Sequence, residues 1–312
     1  MAPTTTTTSA ATHERHLNDM DVSQQERRRR RLQRHAARAQ VASPLSLCLF
    51  VIAAVLSVTV AKPNIGQINE NNLTILTPLT SAVGMYWIVL FVLLVGHCVM
   101  LIVPGSSLDM LTNGVGLRLS FVNLLMAGWI LCWTFEWFIA AQIILLVTFV
   151  VVLSMWATLF YYPATIHRPL DFLFTHVPIR MFLVILWQLD VWQGGLLALH
   201  YSRTLTDSKP HWEQQHSLHG WIVFGVIIAV SLLSSVVVFL QRDLVWAVAA
   251  IYVNVANAVQ PEGKPPQIFI ALVLSCCAIG IAYISAIGWQ LIKSDQEGAI
   301  RLVDGEEQEE QA

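Results

Sequence analysis

Charged residues are scarce in this chain of 312 residues. Lys, Arg, Asp and Glu make up 12% of it, whereas hydrophobic residues make up 55% and the mean hydropathy is +0.60. Soluble domains carry about 25% charged residues. Of the 38 charged side chains, 21 lie in residues 1–43 and 293–312, which leaves 17 for residues 44–292. This distribution excludes a soluble enzyme and predicts a membrane protein with several spans.

The sequence also lacks the motifs of several enzyme and cofactor classes. Its five cysteines lie in apolar runs, without the pattern of a disulfide framework or a metal site. It has no His-Glu-x-x-His, no glycine-rich phosphate loop and no Gly-x-Ser-x-Gly. Only His97 lies clearly within a span, so paired haem ligands are not indicated. We expect no enzymatic activity, no metal and no nucleic-acid partner; any cofactor is left open.

Long apolar runs predict transmembrane helices, because about 20 apolar residues cross roughly 30 Å of hydrocarbon. The run 117–162 would be about 69 Å long as one helix, so we predict a turn at 134–136. The run 219–259 is divided in the same way at 241–243. The predicted fold class is an all-α polytopic bundle of about eight spans with disordered tails. The predicted spans are 44–61, 84–104, 117–134, 138–162, 178–200, 219–240, 243–259 and 266–292.

The span at 243–259 differs from the other seven, because it is short and contains Asn254 and Asn257. Seven spans are therefore the alternative. Polar and small residues recur in it at spacings of three and four, a pattern that favours close packing and hydrogen bonding between helices. A face that lines a solute path is the alternative interpretation. These residues are Asp243, Trp246, Ala247, Ala250, Asn254 and Asn257.

The two tails flank the bundle at 44–292 and carry opposite charge. Residues 1–43 contain eight arginines and form a predicted disordered basic tail, whereas residues 293–312 end in an acidic run. Basic residues favour the cytosolic side of a membrane, so both tails are predicted to be cytosolic. The triplet Asn72-Leu73-Thr74, a glycosylation acceptor, agrees with this orientation. An endomembrane or the plasma membrane is favoured, since the basic tail also contains acids and no cleavable signal peptide is evident.

Asp190 is the most unusual polar residue of the predicted bundle. It lies twelve residues into the span that begins at Pro178, roughly 18 Å deep. An intramembrane carboxylate is costly unless it faces the bundle interior or water, so it indicates a functional site. Arg180 is about 15 Å away along the same helix, too far for a direct ion pair. A hydrogen-bonded packing group is the alternative.

The chain contains eleven tryptophans, several of which are expected in the interfacial belt. Trp129 and Trp133 are four residues apart and share a helix face. An aromatic wall of a binding site and ordinary packing are both consistent with that spacing.

Four short stretches, three of which contain tryptophan, follow one another between about residues 45 and 292. They are Thr77-Pro78 leading to Ala82–Ile88, Asn123–Trp129 with Trp133, Val177–Phe182, and Asp243–Ala247. This ordered set resembles the TspO/MBR tryptophan-rich sensory proteins, in a longer form with extra helices. The resemblance implies a helical bundle associated with binding of porphyrins or sterols. The family tends to carry uncharged residues at the places of Asp190 and Gln193, and the carboxylate of Asp190 departs from that tendency.

Taken together, these features predict a non-enzymatic membrane protein that binds or moves a small amphipathic ligand between its helices. The candidate site consists of Trp129, Trp133, Trp187 and Trp246 as aromatic walls, with Asp190 and Asn254 as polar orienting groups. One alternative is a proton- or ion-coupled transporter in which Asp190 titrates. Another is a structural or scaffolding membrane protein. The lipid bilayer is the expected environment, and the oligomeric state is open.

Overall fold

The computed structural model describes the backbone of residues 7–103, 109–162, 168–201, 203–204, 210–259 and 264–309. Side chains are described within 33–103, 109–162, 168–201, 220–259 and 264–293. The helices are α1 (Thr7–Thr59), α2 (Ile65–Asn71), α3 (Thr80–Met100), α4 (Gly116–Thr134), α5 (Phe138–Leu159), α6 (Pro169–Asp171), α7 (Val177–Ile185), α8 (Val191–Ala198), α9 (Pro210–Gln241), α10 (Leu244–Ala258) and α11 (Pro266–Glu309). Short strands β1 (Asn72–Leu73) and β2 (Arg203–Thr204) pair antiparallel.

Seven helical stretches among the described residues are long and apolar enough to cross a bilayer. They are Gln33–Thr59, Thr80–Met100, Met110–Thr134, Phe138–Leu159, Pro169–Ala198, Gly220–Gln241 and Pro266–Lys293. The eighth predicted span corresponds to α10, whose 15 residues extend only about 22 Å. The prediction of an all-α polytopic bundle is therefore confirmed, with seven long helices and one short helix in place of eight similar spans.

The two turns predicted within the long apolar runs lie where the sequence placed them. α4 ends at Thr134 before α5 begins at Phe138, and α9 ends at Gln241 before α10 begins at Leu244. At the first turn Glu136 has a φ of 59°. The amide of the next residue, Trp137, donates to the carbonyl of Cys132 at 2.8 Å. This is a Schellman motif, which ends a helix by turning the chain through a left-handed residue.

The core of the bundle lies around α7. Its residues from Ile179 to Ile185 are almost all buried, and α3, α5 and α10 pack around them. The outer faces of the surrounding helices expose large apolar side chains such as Val92 and Ile139. Apolar outer faces suit a hydrocarbon environment, where close packing and interhelical hydrogen bonds hold helices together.

Two π-helical segments, Phe172–His176 and Leu186–Asp190, interrupt the long helix that contains α7 and α8. Pro178 has no amide hydrogen, so the carbonyl of Phe174 loses its usual helical donor. The buried His97 of α3 lies against this segment, with its Nδ1 3.4 Å from Oγ1 of Thr175. The first segment therefore has a local cause in the sequence. The second ends at Asp190, and such π segments often occur at functional sites.

Contact between the N-terminal helix and the bundle begins upstream of the predicted tail boundary at residue 43. Ala36 and Ala39 are buried, and the side-chain amide of Gln40 donates to the carbonyl of Leu101 at 2.8 Å. The backbone shows no break at the predicted tail boundaries, because α1 is continuous across residue 43 and α11 across residue 293. The side chains of 1–32 and 294–312 lie outside the described residues. The predicted character of those parts of the tails stays a prediction.

Candidate ligand-binding cavity

A cavity of about 620 Å³ lies between α1, α3, α4 and α8, and α2 borders one of its ends. Pockets for drug-sized ligands commonly measure about 300–1,000 Å³. The cavity is therefore large enough for a small organic molecule.

Aromatic side chains form much of the cavity wall. Phe50 comes from α1, Trp87 and Phe91 from α3, and Trp129 and Trp133 from α4. The rings of Phe50 and Trp87 meet edge to face with centroids 5.8 Å apart, and those of Trp129 and Trp133 lie 5.3 Å apart. Such contacts between rings are favourable beyond the area they bury, so they fix the orientation of the wall.

Polar side chains line the part of the cavity next to α2. The side-chain amide of Gln193 in α8 donates to Oδ1 of Asn69 in α2 at 2.7 Å, and Nδ2 of Asn69 donates to Thr80 at 3.3 Å. Asn64, which caps the N-terminus of α2, also lines this end. The cavity thus has a polar end and an aromatic body, a division that suits an amphipathic ligand.

Two buried polar atoms of cavity-lining residues have no hydrogen-bond partner among the described residues. They are Oδ2 of Asp190 and Nε1 of Trp129. A buried polar group without a partner is destabilising by about 1–3 kcal/mol. A ligand that offers a hydrogen-bond donor to Asp190 and an acceptor to Trp129 would remove this penalty.

The cavity opens toward the outer surface of the bundle between α1 and α3. Val55 and Val58 of α1 and Ile88 of α3 line it, and each has more than half of its side chain exposed. Gly84 of α3 lies beside them, and a Cβ added there would meet no atom within 4 Å. Apolar residues border the opening, and Gly84 leaves space there because it has no side chain.

A family model described as TSPO-like protein matches residues 40–287, a range that includes every residue lining this cavity. The chain belongs to the TSPO-like protein family. The resemblance drawn from the tryptophan-bearing stretches is confirmed, and the TSPO-like protein is an integral, multi-pass membrane protein. No curated protein and no solved structure matches the chain.

Three of the six site residues proposed from the sequence come together in this TSPO-like protein. Trp129, Trp133 and Asp190 all line the cavity. The first two lie on α4, and Asp190 lies at the junction between the second π segment and α8. Their role in binding stays a prediction.

The other three proposed residues lie outside the cavity, which corrects the expectation of one shared aromatic site. Trp187 stacks on Phe149 of α5 with centroids 5.7 Å apart, and Trp246 contacts Trp156 at 5.5 Å. Asn254 is buried in α10, away from the cavity lining. The physical reason is that helical spacing shows which residues share a face but not which neighbouring helix that face meets.

Several cavity residues were not predicted as part of the site. Trp87 had a signal, because it lies in one of the stretches that carry the family resemblance. Gln193 had one too, as a polar residue near Asp190. Asn69 had none, since only folding brings this residue of the short helix α2 within 2.7 Å of a residue 124 positions later.

Arg180 is paired with a residue other than Asp190, as its distance along the helix predicted. Its Nε lies 3.1 Å from Oδ2 of Asp243, at the turn before α10. Oδ1 of Asp243 accepts a hydrogen bond from the amide of Trp246 at 3.1 Å and so caps α10. This pair joins α7 to α10 and leaves Asp190 without a cation from its own helix.

A second cavity of about 470 Å³ lies between α3, α7 and α10. Two tyrosines line it, but their hydroxyls are already used: Tyr86 donates to the carbonyl of Met181 at 2.7 Å, and Tyr252 to that of Ala82 at 2.9 Å. The remaining lining residues are apolar. This cavity offers no polar group that would orient a ligand, so the aromatic cavity is the better candidate.

Proposed function

We propose that this TSPO-like protein binds, or moves within the bilayer, a small amphipathic ligand in the cavity between α1, α3, α4 and α8. The observation that carries the proposal is the combination of an aromatic body with the unpartnered Oδ2 of Asp190. A binding site commonly has mostly apolar walls and a few polar groups that fix the ligand's orientation.

The position of the opening supports a ligand that partitions into lipid. The opening lies between α1 and α3 and is bordered by the exposed apolar side chains of Val55, Val58 and Ile88. A hydrophobic molecule dissolved in the bilayer would reach the cavity through this gap without entering water.

Proton- or ion-coupled transport is the second candidate, and the unpartnered carboxylate at Asp190 favours it. Intramembrane proton paths commonly use a series of acidic and histidine side chains. Asp190 is the one Asp, Glu, His, Lys or Arg among the residues that line the cavity. The described residues therefore support binding better than a relay. A purely structural role would leave Oδ2 of Asp190 without a partner.

The proposal is tested by filling the cavity. We expect Gly84→Phe to place a ring at the opening, because a Cβ at this position meets no atom within 4 Å. Thermal unfolding in lipid nanodiscs would be measured with a panel of lipophilic compounds that includes a porphyrin and a sterol, the classes that the family resemblance implies. Ligands that raise the unfolding temperature of the unmodified protein should not stabilise Gly84→Phe.

A matched control is Gly225→Phe in α9, where an added Cβ also meets no atom within 4 Å but lies outside the cavity lining. This variant should keep every ligand response. Quenching of tryptophan fluorescence by the same compounds provides a second measure, because Trp87, Trp129 and Trp133 line the cavity. Equal stabilisation of both variants by every compound would contradict the proposal.

A further inference from the structure

The charge of the cavity comes from a single side chain. Asp190 is the one Asp, Glu, Lys, Arg or His among the residues that line it. An ionised carboxylate inside a membrane is costly unless it is paired, most favourably with a cation. One other charged residue, Arg180, lies in the stretch 177–198, which contains α7, the second π segment and α8. Arg180 is already paired with Asp243.

The hydrogen-bond donors near Asp190 are directed elsewhere. The hydroxyl of Tyr86, close enough to be influenced by the charge of Asp190, donates to the carbonyl of Met181 at 2.7 Å. The side-chain amides of Gln188 and Gln193 donate to Ser234 and Asn69, each at 2.7 Å. The described residues therefore leave Oδ2 of Asp190 without a donor or a cation.

The wall around this carboxylate is suited to a positive charge. Tryptophan faces attract cations through the ring quadrupole, and this attraction is stronger where water is excluded. Trp87, Trp129 and Trp133 line the same cavity as Asp190. A carboxylate within an aromatic cavity combines an ion-pairing group with cation–π surfaces, whereas it repels ligands that carry carboxylates of their own.

We propose that the ligand of this cavity is a hydrophobic organic cation, whose amine or ammonium nitrogen binds Asp190 and whose apolar body lies against the aromatic wall. This inference rests on the proposed function and specifies its ligand class. It favours amines over neutral alcohols, and it disfavours carboxylate-bearing molecules such as porphyrins with propionate groups.

The test uses three probes with one tricyclic skeleton and different headgroups: dehydroabietylamine, dehydroabietinol and dehydroabietic acid. Binding of each to the full chain would be measured in nanodiscs of phosphatidylcholine, a zwitterionic lipid without net charge, so that anionic lipid does not concentrate the amine. We expect the amine to bind at least about tenfold more tightly than the alcohol, as a hydrogen bond to a charged group allows. The acid should bind most weakly of the three.

Asp190→Asn keeps the size of the side chain and removes its charge. It should lower the affinity for the amine by at least about tenfold and change that for the alcohol by less than about threefold. Asp171→Asn is the matched control, since Asp171 is also buried but lies outside the cavity and next to Arg168. This variant should preserve the preference of the unmodified protein for the amine.

Equal affinity of the unmodified protein for amine and alcohol would overturn the inference, and that comparison needs no variant to fold. Unchanged amine affinity in Asp190→Asn would overturn it as well. The alcohol or the acid could bind at least as tightly as the amine, and Gly84→Phe could abolish that binding. The proposed function would then stand, and only the proposal of a cationic ligand would fail. If none of the three binds, the cationic class also fails, whereas the compound panel with Gly84→Phe decides the proposed function separately.

Discussion

Lys264 binds the C-terminal end of α10, where its side-chain nitrogen donates to both the backbone carbonyl and Oδ1 of Asn257. Burial lowers the pKa of Lys264 from its ordinary 10.5 to about 7. Between these two values the unfolded chain holds a proton at this lysine that the folded protein has released. Because the unfolded state then binds more protons, this residue makes the free energy of unfolding rise with pH above about 7.

Lys264→Met should remove that dependence. We expect the unfolding temperature of the unmodified protein to rise between about pH 7 and 9 relative to that of the variant, with the difference levelling off below pH 7. Thermal unfolding in detergent micelles over this range measures it. Lys62→Met, at an exposed lysine, serves as the control. Parallel pH profiles for the unmodified protein and Lys264→Met would contradict the assignment.

Individual residues were predictable to different degrees. The sequence identified Asp190 as exceptional, because a carboxylate far from either end of an apolar span is recognisable from position alone. It also excluded Arg180 as the partner. The hydrogen bond between Asn69 and Gln193 could not be predicted, since it depends on how the short helix α2 packs against α8, a helix far away in the chain.

Within α3, two glycines have opposite surroundings. A Cβ added at Gly96 would lie 2.0 Å from Cδ1 of Phe174 in the first π segment, whereas one added at Gly84 would meet no atom within 4 Å. The absence of a side chain at Gly96 allows the two elements to approach closely, a common use of small residues between membrane helices.

Alanine at the two positions should therefore have opposite effects on stability. Gly96→Ala should be destabilising by about 1–3 kcal/mol, because the methyl group forces the ring of Phe174 to move. Gly84→Ala should be neutral or stabilising by up to about 1 kcal/mol, through the lower flexibility of alanine in the unfolded chain. Unfolding by SDS titration in mixed micelles measures both changes.

A second-site change identifies the cause. Phe174→Leu should recover part of the stability that Gly96→Ala loses, since it shortens the group that the methyl contacts. Equal effects of alanine at Gly84 and Gly96 would show that helix propensity, and not the contact with Phe174, decides the outcome.

The elements themselves were largely predictable. Long apolar runs identified the spanning helices, and the length limit of one crossing located the turns after Thr134 and Gln241. The Leu186–Asp190 π segment was not predictable, because no proline or glycine lies within it and π turns have no strong sequence signal. The shortness of α10 was visible in the sequence, but its path through the bundle was not.

At the scale of the whole molecule, α10 makes contacts near both of its ends with different parts of the bundle. Asp243, just before it, is paired with Arg180 in the first half of the long helix that contains α7. Near its other end, the carbonyl of Ala256 accepts from the amide of Leu79, just before α3. Gly96 and Phe174 meet near the other end of α3. The start of α10 lies beside Arg180, close in sequence to Phe174, whereas its far end lies beside the start of α3. α10 therefore leads from one side of the bundle toward the opposite side. If α10 crosses together with the seven long helices, the passes number eight, and an even number places both tails on one side.

We expect both tails to be cytosolic, because arginines concentrate in the N-terminal tail. Epitope tags at the two termini should be digested by protease added to sealed microsomes. Resistance of either tag until detergent is added would contradict this topology. Glycosylation of Asn72 is a weaker indicator, because its side-chain amide is half-buried and donates to the carbonyl of Ile68 at 3.0 Å.

The cavity was predictable in its chemistry but not in its membership. Aromatic and acidic residues in apolar spans indicated a ligand site, and three of the six proposed residues line the cavity. Helices from distant parts of the chain form it, with Phe50 on one side and Gln193 on another. The packing of the whole bundle decides which helices become neighbours. The spacing of residues along one span does not contain that information.

The short turns after α4 and α9 also constrain how the chain enters the membrane during synthesis. Only three residues separate α4 from α5, and two separate α9 from α10. A connection of two or three residues is too short to keep one helix in the bilayer while the following helix is still in water. We therefore expect each pair to insert as a helical hairpin, so that the short α10, with its two asparagines, would enter the membrane beside a long apolar partner.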